Sequence, residues 1–288
     1  MKRISFFLLA SVIVFGGVVV ASYLNKNPQI QSTWVWDTRD FQSNQQAYFS
    51  FLEEKGVTKL YVQIDRNLPM EQYEAMILEA SSKEIAVFAI DGAKDWVYST
   101  DELEFLLEWL KDYQTGVKES ARFSGLLLDI EPYLLAEWET DQEFLIRGYQ
   151  EVIRGGSTFA AKLGIPFEMA IPFWFNEIKI DDQALLDWMS PYINTLVIMS
   201  YRTELEGENG LHAIVAPYFK EYQFKDMEIV LTLETESLDG EEWSITFAEK
   251  EEADLNRFIK KTHSSYKNED GYQGISVHHL YSWMKVID

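Results

Sequence analysis

The sequence predicts a (β/α)8 barrel, and two observations carry that expectation. Eight short apolar segments, rich in β-branched and aromatic residues, recur between Thr33 and Trp283. Longer segments with apolar residues at three- and four-residue spacing lie between them. Strands that alternate with helices pair in parallel through right-handed crossovers, and eight such units with no strand left over close into a barrel. A doubly wound open sheet is the alternative. It would want a glycine-rich phosphate loop after the first strand, where this chain has Asp37-Thr-Arg-Asp40 instead.

Ahead of the first strand, Lys2 and Arg3 precede a charge-free run from Ile4 to Leu24. A run of about 20 apolar residues is long enough to span a bilayer. Positive charge before it turns the body of the protein outward. Val19-Val-Ala21 offers only a weak cleavage site, so an uncleaved anchor is preferred to a signal peptide. The expected organisation is anchor or signal over 1–27 and one barrel domain over 28–288, extracytoplasmic and either tethered or secreted.

The strands read TWVWD (33–37), KLYVQID (59–65), IAVFAID (85–91) and GLLLDIEP (125–132), then PFEMAIPF (166–173), TLVIMSY (195–201), EIVLTLET (228–235) and GISVHHLYSW (274–283). Helical periodicity is clearest over 71–83, 101–114, 143–164 and 253–267, as outer-ring helices require. No internal repeat and no second domain is evident.

Composition narrows the function. With 47 acidic against 25 basic residues the net charge is −22, which repels phosphate backbones and argues against nucleic acid as a partner. The chain has no cysteine, so an exported form relies on its core rather than on disulfides. Metal chemistry lacks support: no His-Glu-x-x-His or His-x-x-x-His occurs, and His278 and His279 as strand neighbours point to opposite faces. One of the two could still reach the site as a hydrogen-bond donor. Serine-elbow and cysteine nucleophiles are absent as well. No cofactor and no metal is expected, and the protein is read as a monomer.

A barrel places its chemistry where strands end. Those ends are acidic: Asp37, Asp65, Asp91, Asp129 with Glu131, and Glu234 with Glu236. An aspartate after a strand also serves as the N-cap of the next helix, and that alternative stands for Asp37, Asp65 and Asp91. Within GLLLDIEP the period of two puts Leu127, Asp129 and Glu131 on one face and Leu126, Leu128 and Ile130 on the other. The second set suits packing on helices, so the two acids should face the lumen. An inward Glu131 in a partly dry pocket beside a second carboxylate should hold its proton to higher pH. It can then protonate a glycosidic oxygen, which leaves poorly without a proton.

The segment FSGLLLDIE resembles the fourth-strand signature of family-18, chitinase-type glycoside hydrolases, Asp-Gly-x-Asp-x-Asp-x-Glu. Gly125, Asp129 and Glu131 match, while Ser124 and Leu127 stand in place of the outer aspartates. Met199-Ser-Tyr201 is similar to the family's Met-x-Tyr, with Arg202 where an aspartate is common. Trp283 falls where the family has a tryptophan flooring the sugar subsite. The resemblance implies Glu131 as general acid and Asp129 as the group orienting a substrate acetamide. It implies that Tyr201 steadies that acetamide, whose oxygen attacks the anomeric carbon. A second resemblance is to retaining barrel glycosidases, with Glu131-Pro132 ending strand four and a nucleophilic Glu234 ending strand seven.

Further candidates for substrate contact are Trp174, Tyr281, Gln63, Glu168 and Arg202. Trp174 and Trp283 follow strand ends, where aromatic faces stack on sugars. Trp34 and Trp36 lie on a strand and can equally fill the core. Glu168, buried within a strand, must be paired or neutral; it is either a site residue or the partner of Arg202. Acid-rich stretches over 204–208 and 239–242 suggest a cleft that prefers neutral or cationic sugars. Three functions compete: a glycosidase on a β-linked, N-acetylated polysaccharide or oligosaccharide, a barrel that binds carbohydrate without cleaving it, and a hydrolase of another bond.

Overall fold

The computed structural model describes residues 30–221, 227–238 and 245–286. The expected anchor over 1–27 and the acidic stretch 239–242 lie outside the described residues. Among the described residues no helix is long and apolar enough to cross a membrane.

Eight parallel strands close into a barrel in chain order: β1 Ile30–Val35, β2 Lys59–Gln63, β3 Ala86–Asp91, β4 Gly125–Asp129, β5 Phe167–Pro172, β6 Thr195–Met199, β7 Glu228–Glu234 and β8 Tyr272–His278. β1 and β8 pair to complete the ring, with Thr33 opposite Val277. Helices at Met70–Ser82, Asp101–Gly116, Gln142–Leu163 and Glu252–Tyr266 occupy the stretches whose periodicity announced them. A two-residue ribbon, Lys179–Ile180 with Gln183–Ala184, decorates the connection after β5.

Alternation along each strand divides the core in two. Leu126, Leu128 and Ile130 join the layer between sheet and helices, whereas Leu127 packs in the lumen with Trp34, Tyr61, Phe88, Ile90, Val197 and Val230. These luminal side chains plug the barrel, as in other closed sheets of eight strands. Gly125 permits the packing, since a Cβ there would lie 2.0 Å from the Phe88 ring.

Below the plug sits Glu168, 1% exposed. Its carboxylate accepts from Lys59 Nζ at 2.7 Å and from the Tyr61 hydroxyl at 2.6 Å. Lys59 opens β2 and Glu168 is second in β5, so this pair closes the N-terminal end of the barrel. The expectation of Glu168 as a site residue or as the partner of Arg202 is thereby corrected. A buried carboxylate takes the cation that its own end of the barrel supplies.

Candidate active site

At the opposite end, β4 delivers Asp129 as its last residue on the luminal face. Glu131 follows one step past the strand, where Pro132 starts a short 3-10 turn, Pro132–Leu134. Gly92 lets the loop after β3 lie against this strand end. A Cβ on it would stand 2.0 Å from the Asp129 carbonyl oxygen.

The Asp129 Oδ1 atom is buried and has no hydrogen-bond partner. Burial, and then the charge of neighbouring Glu131, push its carboxyl up to about 7. Glu131 accepts a hydrogen bond from the Tyr133 hydroxyl. Tyr201 completes the group. Burial raises its phenol well above the ordinary value, and so do the fields of Glu234, Asp129 and Glu131. Its ring lies 6.0 Å from that of His278. Asp129, Glu131 and Tyr201, singled out in the sequence, therefore meet at one mouth.

Glu234 and His278 are opposite one another in the β7–β8 register, and the Glu234 Oε2 to His278 Nδ1 distance is 2.8 Å. The indole Nε1 of Trp36 donates to His278 Nε2 at 2.7 Å. An indole N–H can only donate, so Nε2 must accept and the ring proton resides on Nδ1. His278 is thus the neutral Nδ1–H tautomer, donating to a Glu234 carboxylate. The other oxygen, Oε1, accepts backbone N–H groups from Thr235 at 2.8 Å and Glu236 at 2.7 Å. Glu234 is 1% exposed and both its oxygens are engaged. It orients His278 through Oε2, and three of its roughly four lone-pair sites are taken within the protein. His278 and Trp36 were not among the principal candidates. Their signal in the sequence was luminal parity, which His278 shares with Ser276 on β8 and Trp36 with Trp34 on β1.

Other candidates fall elsewhere. β8 stops at His278, and the turn Leu280–Trp283 is helical. Trp283, expected to floor a sugar subsite, is 1% exposed and packs edge-on against Phe51 with 4.9 Å between rings. The helical turn carries its indole into the outer core, away from the mouth. Arg202 is buried too. It donates to the Asn209 carbonyl at 2.7 Å, to Asn209 Oδ1 at 2.6 Å and to the Tyr201 carbonyl at 2.7 Å, and its guanidinium lies over Phe173. It pins the loop after β6 rather than reaching for a ligand.

Trp174 stands in an aromatic wall, 5.2 Å from Tyr133 and 5.9 Å from Trp138. Gln63 is half-buried at the end of β2, where its carbonyl accepts from Thr38 Oγ1 at 2.6 Å. Tyr281 is 50% exposed at the rim. Trp34 fills the lumen, its indole bonded to Ser276 Oγ.

Of the seven strand-end acids, Asp129, Glu131 and Glu234 converge. Asp37 caps the helix Thr38–Ser43 by accepting from the Asp40 N–H. Asp65 pairs with Arg39 at 2.6 Å, and that bond holds its carboxyl below the ordinary value. Asp91 falls on the parity opposite Ile90, and burial pushes it up to about 6. Glu236 meets His279 at 3.2 Å. Among the described residues no group of three or more His, Asp or Glu side chains could hold a metal ion.

No protein family matches the sequence, and neither does any curated protein. Solved structures do match in shape. One is a β-1,4-mannanase from the sea hare Aplysia kurodai, 11% identical, covering 89% of this chain and 90% of that one at a TM-score of 0.55. A GH18 chitinase from Cycas revoluta in complex with (GlcNAc)3 is 11% identical over 88% of this chain and 95% of its own, at 0.50. Deoxyribose phosphate aldolase from Aeropyrum pernix is 10% identical over 90% and 88%, at 0.51. At such identities what is shared is the fold: the chain is a (β/α)8 barrel of the kind on which GH18 chitinases and β-mannanases are built.

Proposed function

We propose that this protein is an extracytoplasmic glycoside hydrolase acting on a β-linked, N-acetylated polysaccharide, with Glu131 as general acid. The observation that supports this reading best is the buried, unpartnered Asp129 Oδ1 beside Glu131 and Tyr201. A buried polar atom without a partner costs about 1–3 kcal/mol, and a ligand that supplies the missing hydrogen bond recovers it. An acetamido N–H is such a donor.

In this mechanism the acetamide N–H donates to Asp129 while the Tyr201 hydroxyl donates to the acetamide oxygen. Glu131 protonates the glycosidic oxygen as the C1–O bond breaks. The acetamide oxygen attacks C1 from the opposite face and forms a cyclic oxazolinium ion. Glu131, now a carboxylate, takes a proton from water, whose oxygen reopens the ring at C1 with net retention. Asp129 lies close enough to Glu131 for the charge of Glu131 to add to burial in raising its carboxyl.

The covalent alternative needs a free nucleophilic carboxylate on β7. The deep burial of Glu234 and its three hydrogen bonds within the protein argue against that role. The GlcNAc oligomer held by the cycad chitinase is in keeping with an N-acetylated substrate. Export and tethering rest on the charge-free segment after Lys2 and Arg3. The mass of the cell-associated protein distinguishes retained from cleaved forms.

The deciding experiment compares the wild type with Glu131→Gln on chromogenic N-acetylglucosamine oligomers and cell-wall polymers. Hydrolysis lost in the variant, together with inhibition of the wild type by a thiazoline mimic of the cyclic ion, supports the mechanism. Equal hydrolysis by both proteins refutes the role of Glu131. Binding without cleavage by either favours a carbohydrate-binding barrel.

A further inference from the structure

Tyr133 has no part in the mechanism above, yet its hydroxyl donates to the acid itself, at Glu131 Oε1. The sequence Glu131-Pro-Tyr133 builds this contact locally. Pro132 fixes its own φ and opens the 3-10 turn. Leu134 N–H then donates to the Glu131 carbonyl at 3.0 Å, and Leu135 N–H to the Pro132 carbonyl at 3.1 Å. The turn folds the phenol back onto the carboxyl that precedes it.

Other rings hold the phenol in place. Trp174, Phe175 and Trp138 stand edge-on to it, with 5.2, 6.0 and 6.3 Å between ring centres. Edge-to-face contacts on this scale orient a ring as well as bury it. Burial, and then the charge of Glu131, raise the phenol above its ordinary value, so Tyr133 stays a donor at every working pH. Asp129 on β4 and Tyr149 on the helix Gln142–Leu163 also act on it. Tyr201, past β6, lies in the field of the same Glu131. None of these groups is a cation.

A neutral carboxyl carries its proton on one oxygen and accepts on the other. A proton on Oε1 would have to donate to Tyr133, and the phenolic proton would then have no acceptor among the described residues. The acidic proton of Glu131 therefore belongs on Oε2. When it passes to the glycosidic oxygen, the O–H electron pair stays on Glu131 and the C1–O pair goes to the leaving oxygen. Negative charge grows on the carboxylate, and hydrogen bonds to ionised acceptors are the stronger kind. The Tyr133 bond thus strengthens toward the transition state, where it accelerates the reaction.

We propose that Tyr133 is a positioning residue that directs the proton of Glu131 to Oε2 and stabilises the carboxylate left by its transfer. The proposal rests on the glycosidase reading above.

The experiment pairs Tyr133→Phe, which keeps the ring among its neighbours, with 3-fluorotyrosine at the same position, a stronger donor of nearly equal size. Rates on chromogenic N-acetylglucosamine oligomers are followed across pH, and carbon-13 NMR follows the Glu131 carboxyl in the free protein. Tyr133→Phe is expected to lower kcat by about 10–100-fold with KM little changed. A donor to a carboxylate favours the ionised form. In Tyr133→Phe the alkaline limb of kcat and the NMR titration should therefore both move up, by about one pH unit. In the fluorotyrosine protein both should move down.

Curves that stay in place in Tyr133→Phe, or that move the same way in both proteins, would overturn the proposal. A wild type that hydrolyses none of the oligomers would overturn the glycosidase reading. The NMR titration needs no substrate, so it still judges the hydrogen bond in that case.

Discussion

The indole N–H of Trp36 donates to His278 Nε2 across the β1–β8 seam at 2.7 Å, which leaves the imidazole proton on Nδ1 facing Glu234. Trp36→Phe removes the donor and frees Nε2 to bind a proton. Nitrogen-15 NMR of the ring should report the Nδ1–H tautomer in the wild type, and a mixture of tautomers in the variant. Leaving a buried acceptor unpaired costs about 1–3 kcal/mol; a fall in kcat/KM is expected, and an unchanged tautomer would refute the role of this hydrogen bond.

Asp129 imposes a pH dependence on stability. Its folded carboxyl titrates at about 7, whereas an unfolded aspartate titrates near ~3.9. Below the lower value both states are protonated and the group is neutral in the balance. Between the two values only the unfolded chain ionises, so raising the pH costs the folded state stability, and the cost levels off above the folded value. Asp129→Asn cannot ionise. Its unfolding midpoint relative to the wild type should climb between about pH 4 and pH 7 and then stay constant. Urea melts across that range measure it, and a flat difference would contradict the raised carboxyl.

The Lys59–Glu168 pair should be structural and remote from catalysis. Lys59→Met leaves a buried carboxylate with Tyr61 alone, and breaking a buried pair from one side costs about 3–5 kcal/mol. Urea titration should show that loss, with KM unchanged in the folded fraction.

Gly92→Ala places a methyl where only 2.0 Å separates it from the Asp129 carbonyl oxygen. The backbone must move, and overpacking of this kind costs about 1–3 kcal/mol. Because the displaced strand end carries Asp129, kcat should fall by more than the fraction of protein that unfolds.

Trp283→Ala and Trp174→Ala should separate core from cleft. The first empties a buried indole site at a cost of about 3–5 kcal/mol. The second, in the half-buried wall beside Tyr133, should raise KM with little change in melting temperature.

Much of this arrangement could be read from local patterns. The alternation in GLLLDIEP assigned Leu127 to the lumen and Leu126, Leu128 and Ile130 to the helices, because a period of two is a property of neighbouring residues. Partners across the barrel could not be read in that way. Glu168 meets Lys59, 109 positions away, through strand register and tilt that no segment encodes alone. Trp283 misled for a different reason. Its segment is apolar and aromatic enough for a strand, yet β8 ends at His278 and one helical turn redirects the ring. The seven acidic strand ends looked equivalent by position, while capping claimed Asp37 and an ion pair claimed Asp65.

The plugged floor also fixes an orientation. The described chain enters β1 at Ile30, on the end closed by Lys59 and Glu168, and the catalytic group lies at the other end of the strands. Whatever attachment precedes Ile30 joins the molecule at its sealed base. Under the proposed tethering, the mouth formed by Asp129, Glu131 and Tyr201 faces away from the point of attachment.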